Sequence, residues 1–122
     1  MARIVRFVVA ASIALVVAWV AIRMTPQWER IPDVTKSTEV TLHAKLRQRR
    51  ISSLDVVGFG NIDGDAEISL ILDGEPYKAV KLHGQVRFVW GGTWYSPTAV
   101  VRYTPGAVKR GSLTLRYRFN DF

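Results

Sequence analysis

The densest acidic stretch of the chain is Asn61-Ile62-Asp63-Gly64-Asp65-Ala66-Glu67. Oxygen-bearing side chains at alternate positions suggest a calcium loop. Such a loop needs oxygen ligands at positions one, three and five, glycine at six and a bidentate glutamate at twelve. Counted from Asn61, the first three are present, but position six is Ala66 and position twelve is Leu72. The stretch reads as a polar turn. Asp73 and Glu75 flank Gly74 as a second carboxylate pair. Carboxylates at a turn are hydrated and lack the shifted pKa of an acid–base pair. The two histidines, His43 and His83, have no serine and acid in a readable triad arrangement beside them. Gly58-Phe59-Gly60 and Gly91-Gly92 lack the length and the following helix of a phosphate loop. The chain has no cysteine, which excludes thiolate metal sites, disulfides and a cysteine nucleophile. These residues assign no catalytic group, no metal ligand and no cofactor.

Binding chemistry is better represented. Arg87, Arg102, Arg116 and Arg118 alternate with apolar residues, so all four point outward if their segments are strands. On neighbouring strands they would form a basic stripe able to hold phosphate; otherwise they are a solvated sheet face. Trp90, Trp94 and Tyr95 surround Gly91-Gly92. Either both tryptophans are core, or an exposed Trp94-Tyr95 pair at a hairpin tip would contact a partner or a membrane and, with a nearby carboxylate, a sugar. The knot Lys45-Leu46-Arg47-Gln48-Arg49-Arg50 would face lipid if it lies near a bilayer.

The net charge of +7 is unevenly spread. Residues 1–23 contribute three arginines and no acid, residues 24–50 a further +3, and residues 51–122 only +1. The basic balance belongs to the N-terminal flanks and the Lys45–Arg50 knot. A nucleic-acid-binding domain should show a basic face across the fold, which this distribution does not establish.

The elements that position these groups begin with a leader. Phe7 to Ile22 is a run of sixteen uncharged residues, with Ser12 alone polar. Arg3 and Arg6 precede it and Arg23 closes it. As a helix it is about 24 Å long, short of the roughly 30 Å hydrocarbon core. Trp19 and the flanking arginines can extend the span by settling in the interface. A cleaved signal is the competing reading. Cleavage after Ala18 would leave bulky Trp19 at the new terminus, and cleavage after Ala21 would place it at −3. The reading adopted is an uncleaved signal-anchor over 1–23, holding the bilayer through Phe7, Leu15, Trp19 and Ile22. The rest of the chain is then expected in the periplasm or an equivalent space, at the cell (inner) membrane.

Residues 24–37 contain Pro26 and Pro32 and read as a juxtamembrane linker with Trp28 near the lipid. Residues 38–122 read as an antiparallel β domain of six or seven short strands. Val40, Leu42, Ala44 and Leu46 alternate with polar residues, although a helix over 36–50 packed on the sheet is the alternative. Further strands are expected over 51–59, 66–72, 77–82, 86–90, 94–104 and 113–119. The turns between them are expected at Gly60–Gly64, Asp73-Gly74, His83-Gly84, Gly91-Gly92 and Pro105-Gly106. Leu42, Leu46, Ile68, Leu72, Val101 and Leu115 are among the expected core residues.

Gly64-x-Ala66-x-Ile68-x-Leu70, Gly74, Gly84-x-Val86 and Trp94, after a single span and a linker, resemble the membrane-anchored cytochrome oxidase assembly factors. The resemblance covers about residues 57–103. It implies a small α+β domain outside the membrane that helps a respiratory complex assemble without catalysis. It places a helix on 36–50, where the alternation favours a strand, and it transfers no functional residue.

Three functions follow as expectations. The first is a single-pass, non-enzymatic interaction or assembly protein whose β domain contacts another membrane protein or complex. The second is a binder of anionic lipid or nucleic-acid phosphate. The third is a small hydrolase or carbohydrate-binding domain built on Trp94 and Tyr95.

Overall fold

The computed structural model describes residues 25–46, 48 and 50–121. The anchor residues Phe7, Leu15, Trp19 and Ile22, and the cations Arg47 and Arg49, lie outside the described residues. The domain is mainly β, built from one antiparallel sheet that curls over on itself. Its strands are β1 (Gln27–Arg30), β2 (Thr38–His43), β3 (Ile51–Leu72), β4 (Glu75–Thr93), β5 (Thr98–Pro105) and β6 (Gly111–Asp121).

Two long strands organise the rest. β3 and β4 form one hairpin closed by Asp73-Gly74, with Leu72 opposite Glu75. Asp73 and Gly74 both take positive φ, 52° and 80°. This is the two-residue turn whose twist matches that of the flanking strands, and Asp-Gly favours it. β4 follows the whole of one edge of β3. Along the other edge, β6 pairs with residues 51–62 and β5 with residues 66–71. β1 extends the first half beyond β6, and β2 extends the second half beyond β5. Half-sheet I is thus β1-β6-β3-β4 and half-sheet II is β2-β5-β3-β4, each using one half of the hairpin.

The halves are joined at a corner. Pairing of β3 with β4 passes from Ile62↔Gly84 to Asp65↔His83, leaving Asp63 and Gly64 as a two-residue bulge. An even insertion preserves the side-chain parity, so Ile62 and Ala66 both remain buried. Bulges increase local twist and bend the strand, and they make the corners of folded sheets. The bend is large. Lys78 Nζ donates to the Gly91 carbonyl at 2.7 Å, although both residues belong to β4. A straight strand would separate them by about 43 Å.

The apolar faces of the two halves meet in one core. Val56, Leu113 and Leu115 from half-sheet I are fully buried with Ile68, Val101, Tyr103 and Leu42 from half-sheet II. Ile31 and Val34, in the connection from β1 to β2, cap the corner end and are also buried. The Tyr103 hydroxyl donates to the Val34 carbonyl at 2.7 Å, pinning that connection.

Several expectations are corrected. Gly60–Gly64, His83-Gly84 and Gly91-Gly92 are not turns but lie inside β3 and β4. Four expected short strands are therefore two long ones. Part of the expected linker is β1. Among the described residues no α-helix forms, so the helix over 36–50 is replaced by β2 and an irregular connection. Leu46 is exposed because the alternation continues in the sequence past His43, where the pairing of β2 stops, and Leu72 is exposed because the register of β3 against β4 shifts between Leu70 and Ile71 and breaks the alternation.

The Asp63 carboxylate accepts the backbone N–H of Lys109 at 2.8 Å and of Arg110 at 3.1 Å. It thereby clamps the β5–β6 connection to the corner. Those bonds, Arg110 first and Lys109 second, hold its carboxyl below the usual range. The folded-state value therefore lies below the unfolded one. The ionised carboxylate stabilises the fold above about pH 4, and this contribution disappears as pH falls through the lowered value.

Two predictions follow from this packing. Asp63→Asn should flatten the acid limb of a stability–pH profile below about pH 4, measured by denaturant unfolding at each pH. Tyr103→Phe leaves the Val34 carbonyl buried without its donor and should lower unfolding free energy by about 1–3 kcal/mol in urea titrations.

Candidate functional site

The strand register decides which of the outward side chains become neighbours. On the outer face of half-sheet I, one cross-strand row reads Trp28, Arg116, Val57, Val89. The next reads Arg30, Thr114, Phe59, Arg87. The row on the other side pairs Arg118 with Asp55 and Asp55 with Gly91. Arg87, Arg116 and Arg118 therefore share one face. Arg102 does not: it lies on the outer face of half-sheet II, opposite Glu39 and Ser69. Its Nε donates to Glu39 Oε1 at 2.8 Å, so its charge is locally compensated. The four-arginine stripe is thus corrected to three, because β5 and β6 sit end to end along β3 rather than side by side.

Between the arginines the face is apolar. Trp28 is 57% exposed, Val89 65% and Phe59 37%. Trp28 and Phe59 meet edge to face at 5.7 Å across β6, where Thr114 is short. The Arg116 guanidinium lies 5.8 Å from the centre of the Trp28 ring. At that distance the ring face attracts the cation. Trp28 was expected in a linker rather than on a strand because β1 is four residues long and bracketed by Pro26 and Pro32. The polar–aromatic alternation Gln27-Trp28-Glu29-Arg30 was the available signal.

At the start of β1 this face opens into a groove of about 210 Å³ lined by Pro26, Asp55, Val57, Arg116, Tyr117 and Arg118. Arg118 Nη2 approaches Asp55 Oδ2 at 3.6 Å, but Arg118 Nε is buried with no hydrogen-bond partner among the described residues. Asp55 also accepts from Asn120 Nδ2 at 3.0 Å. The groove offers arginine N–H groups beside an aromatic platform, a combination that receives a carboxylate or phosphate next to an apolar group.

Trp94 and Tyr95 part company. Trp94 is buried and its indole N–H donates to the Thr98 carbonyl at 3.0 Å, so it is core. Tyr95 is 73% exposed. The exposed Trp94-Tyr95 platform is therefore corrected, and the sugar-binding or hydrolytic reading built on it loses its tryptophan. The Trp94 backbone N–H donates to the Ser52 carbonyl at 3.1 Å, which fixes this residue where its side chain closes the core.

Two carboxylates of the acidic stretch have partners within the fold. Asp63 is the corner clamp, and Asp65 Oδ1 lies 2.7 Å from His83 Nδ1 on the surface. Among the described residues no group of three His, Cys, Asp or Glu side chains could hold a metal ion. The Lys45–Arg50 knot is described at Lys45, Leu46, Gln48 and Arg50. Burial first, then the charge of Arg118, hold the Lys45 ammonium below the usual lysine range.

No protein family and no curated protein matches the sequence. Among solved structures the chain is similar to "Crystal structure of PirA" (12% identity, TM-score 0.47, 79% of this chain and 94% of that one). It is also similar to "CBM4 structure and function" (9%, 0.44, 76% and 71%). A third is the coat protein of Tobacco streak virus (9%, 0.42, 80% and 88%). At this level of similarity none of them bears on function.

The different fates of the adjacent aromatics give a direct check. Trp94→Ala should cost about 3–5 kcal/mol of stability, whereas Tyr95→Ala should stay within about 0.5 kcal/mol of the parent in the same unfolding assay.

Proposed function

We propose that this chain is a membrane-tethered, non-enzymatic interaction protein whose β domain binds another membrane protein or complex through the outer face of half-sheet I. The observation that carries the reading is the exposed Trp28–Phe59–Val89 patch rimmed by Arg87, Arg116 and Arg118. Contiguous exposed apolar surface on a small domain marks an interaction site. Tryptophan and arginine are the residue types that dominate binding energy at interfaces.

The chemistry of the face also describes its partner. An apolar patch bordered by Arg30, Arg87, Arg116 and Arg118, with one compensating carboxylate, Asp55, suits a surface with an apolar centre and an acidic rim. A partner carboxylate entering the groove beside Pro26 would meet the guanidinium groups of Arg116 and Arg118. Charged rim pairs of this kind accelerate encounter and fix orientation, while the aromatic centre supplies affinity. The tether supports the reading. A chain held to a bilayer by the 7–22 run searches in two dimensions, so a modest interface suffices for stable association.

The test is recovery of the full-length chain with its partner after gentle detergent extraction. Trp28→Ala combined with Arg116→Glu should reduce the co-recovered partner at least tenfold, which corresponds to about 1.4 kcal/mol or more. Arg102→Gln, on the opposite half-sheet, should leave recovery unchanged. A lone monomer at every salt concentration, or equal loss with Arg102→Gln, would sink the proposal.

A further inference from the structure

The strand register gathers most connections at one end of the domain. β1, β3 and β5 begin there, and β2, β4 and β6 finish there. The chain enters the described domain at this end too, through Thr25 and Pro26. The corner at Asp63–Gly64 and the β5–β6 connection form the opposite end.

The connection after β2 is held against this entry point. Lys45 Nζ donates to the Thr25 carbonyl. The Gln48 N–H closes a turn on the Lys45 carbonyl at 3.1 Å, and Gln48 Oε1 accepts the Lys45 N–H at 2.9 Å. Gln48 Nε2 donates to the Phe119 carbonyl at 2.7 Å, bracing the turn on the end of β6. The Ala44 N–H donates to the Pro97 carbonyl at 2.7 Å, joining this connection to the one that carries Tyr95. Leu46 is 94% exposed at the tip of this turn, with Tyr95 also in solvent.

We infer that this entry end is a membrane-docking surface, with Leu46 and Tyr95 entering the interfacial layer while Lys45 and Arg50 meet anionic lipid phosphates. Three features select a bilayer as the occupant. The sixteen-residue apolar run ends at Ile22, so the chain to Thr25 spans at most about 11 Å. The entry end therefore stays within about a Debye length of the surface to which the run is anchored. The exposed side chains are an aliphatic tip and a tyrosine next to cations, the composition of an interfacial contact. The connection from Lys45 to Arg50 contains no acid and its sequence adds Arg47 and Arg49. Phosphate beside Lys45 would also relieve the repulsion from Arg118. With the entry end on the bilayer, the outer face of half-sheet I stands roughly upright, open to a neighbouring membrane protein. The inference rests on the tether reading, and the experiment separates the two.

The absence of native cysteine permits single-site labelling of the full-length chain. Leu46→Cys and Ala107→Cys, the latter exposed at the corner end, are labelled with a fluorophore. Each is reconstituted in lipid discs of phosphatidylcholine alone or with about 30% phosphatidylglycerol. Quenching by a water-soluble collider is then compared with quenching by brominated lipid. At low salt in the anionic discs, aqueous quenching at position 46 should be at least about fivefold weaker than at 107, and should recover in about 0.5 M salt. Arg50→Glu should weaken the protection.

A chain that does not float with lipid overturns the tether and the docking end together. A chain that floats but leaves position 46 as open to the aqueous quencher as 107 overturns the docking end and spares the tether. Equal protection in phosphatidylcholine alone overturns the anionic assignment. Shielding of position 46 from both quenchers shows a protein contact in place of lipid and also overturns it.

Discussion

The bend at Asp63–Gly64 is the constraint on which the rest of this domain depends. A single sheet of this size buries one face and leaves the other wet. It becomes a domain with a closed core only if it folds over. The two-residue bulge lets β3 and β4 turn together without changing which side chains point inward. The carboxylate of Asp63 then fastens the β5–β6 connection across the outside of the bend. Gly64 completes the fit, since a Cβ there would sit 2.5 Å from the Ala107 carbonyl oxygen. Within a residue group that has the composition of a metal loop, Asp63 is thereby consumed by architecture, its carboxylate held by two backbone amides.

The surfaces follow from the same bend. Folding the hairpin sends β6 and β5 to different halves, so arginines that look equivalent along the chain reach different faces. Arg102 meets Glu39 and is neutralised, whereas Arg87, Arg116 and Arg118 keep company with Trp28 and Phe59. An exposed pair such as Arg102–Glu39 contributes little to stability, about 0–1 kcal/mol. Its importance is that it removes a charge from one side of the molecule and leaves the basic character on the other. The fold also returns the hairpin tip to the end where the chain enters, which leaves the corner end comparatively simple.

Much of the core was readable because it is governed by local periodicity. Alternation placed Val56, Ile68, Val101, Leu113 and Leu115 inward, and all are buried. Asp73-Gly74 was readable as a hairpin because a two-residue turn is decided by its own backbone preferences. The chemically similar Asp63-Gly64 was read as a turn as well and is a bulge. What separates them is whether the flanking strands pair with each other or continue beside a third, and nothing within five residues encodes that. Leu46 shows the reverse failure: the alternation is present but no strand lies opposite it.

Unaided, the sequence determined the apolar run over residues 7–22, the uneven charge and the strand-forming periodicity. These are properties of composition and of neighbours along the chain, set by hydration and by backbone preference. Tertiary structure decided that Trp28 is presented and Trp94 concealed, that three arginines gather and a fourth is paired, and that Leu46 stands beside the point of entry. Each of those depends on which distant strands share hydrogen bonds, and that partnership is settled by burying the two apolar faces against each other, a condition no short window of residues contains.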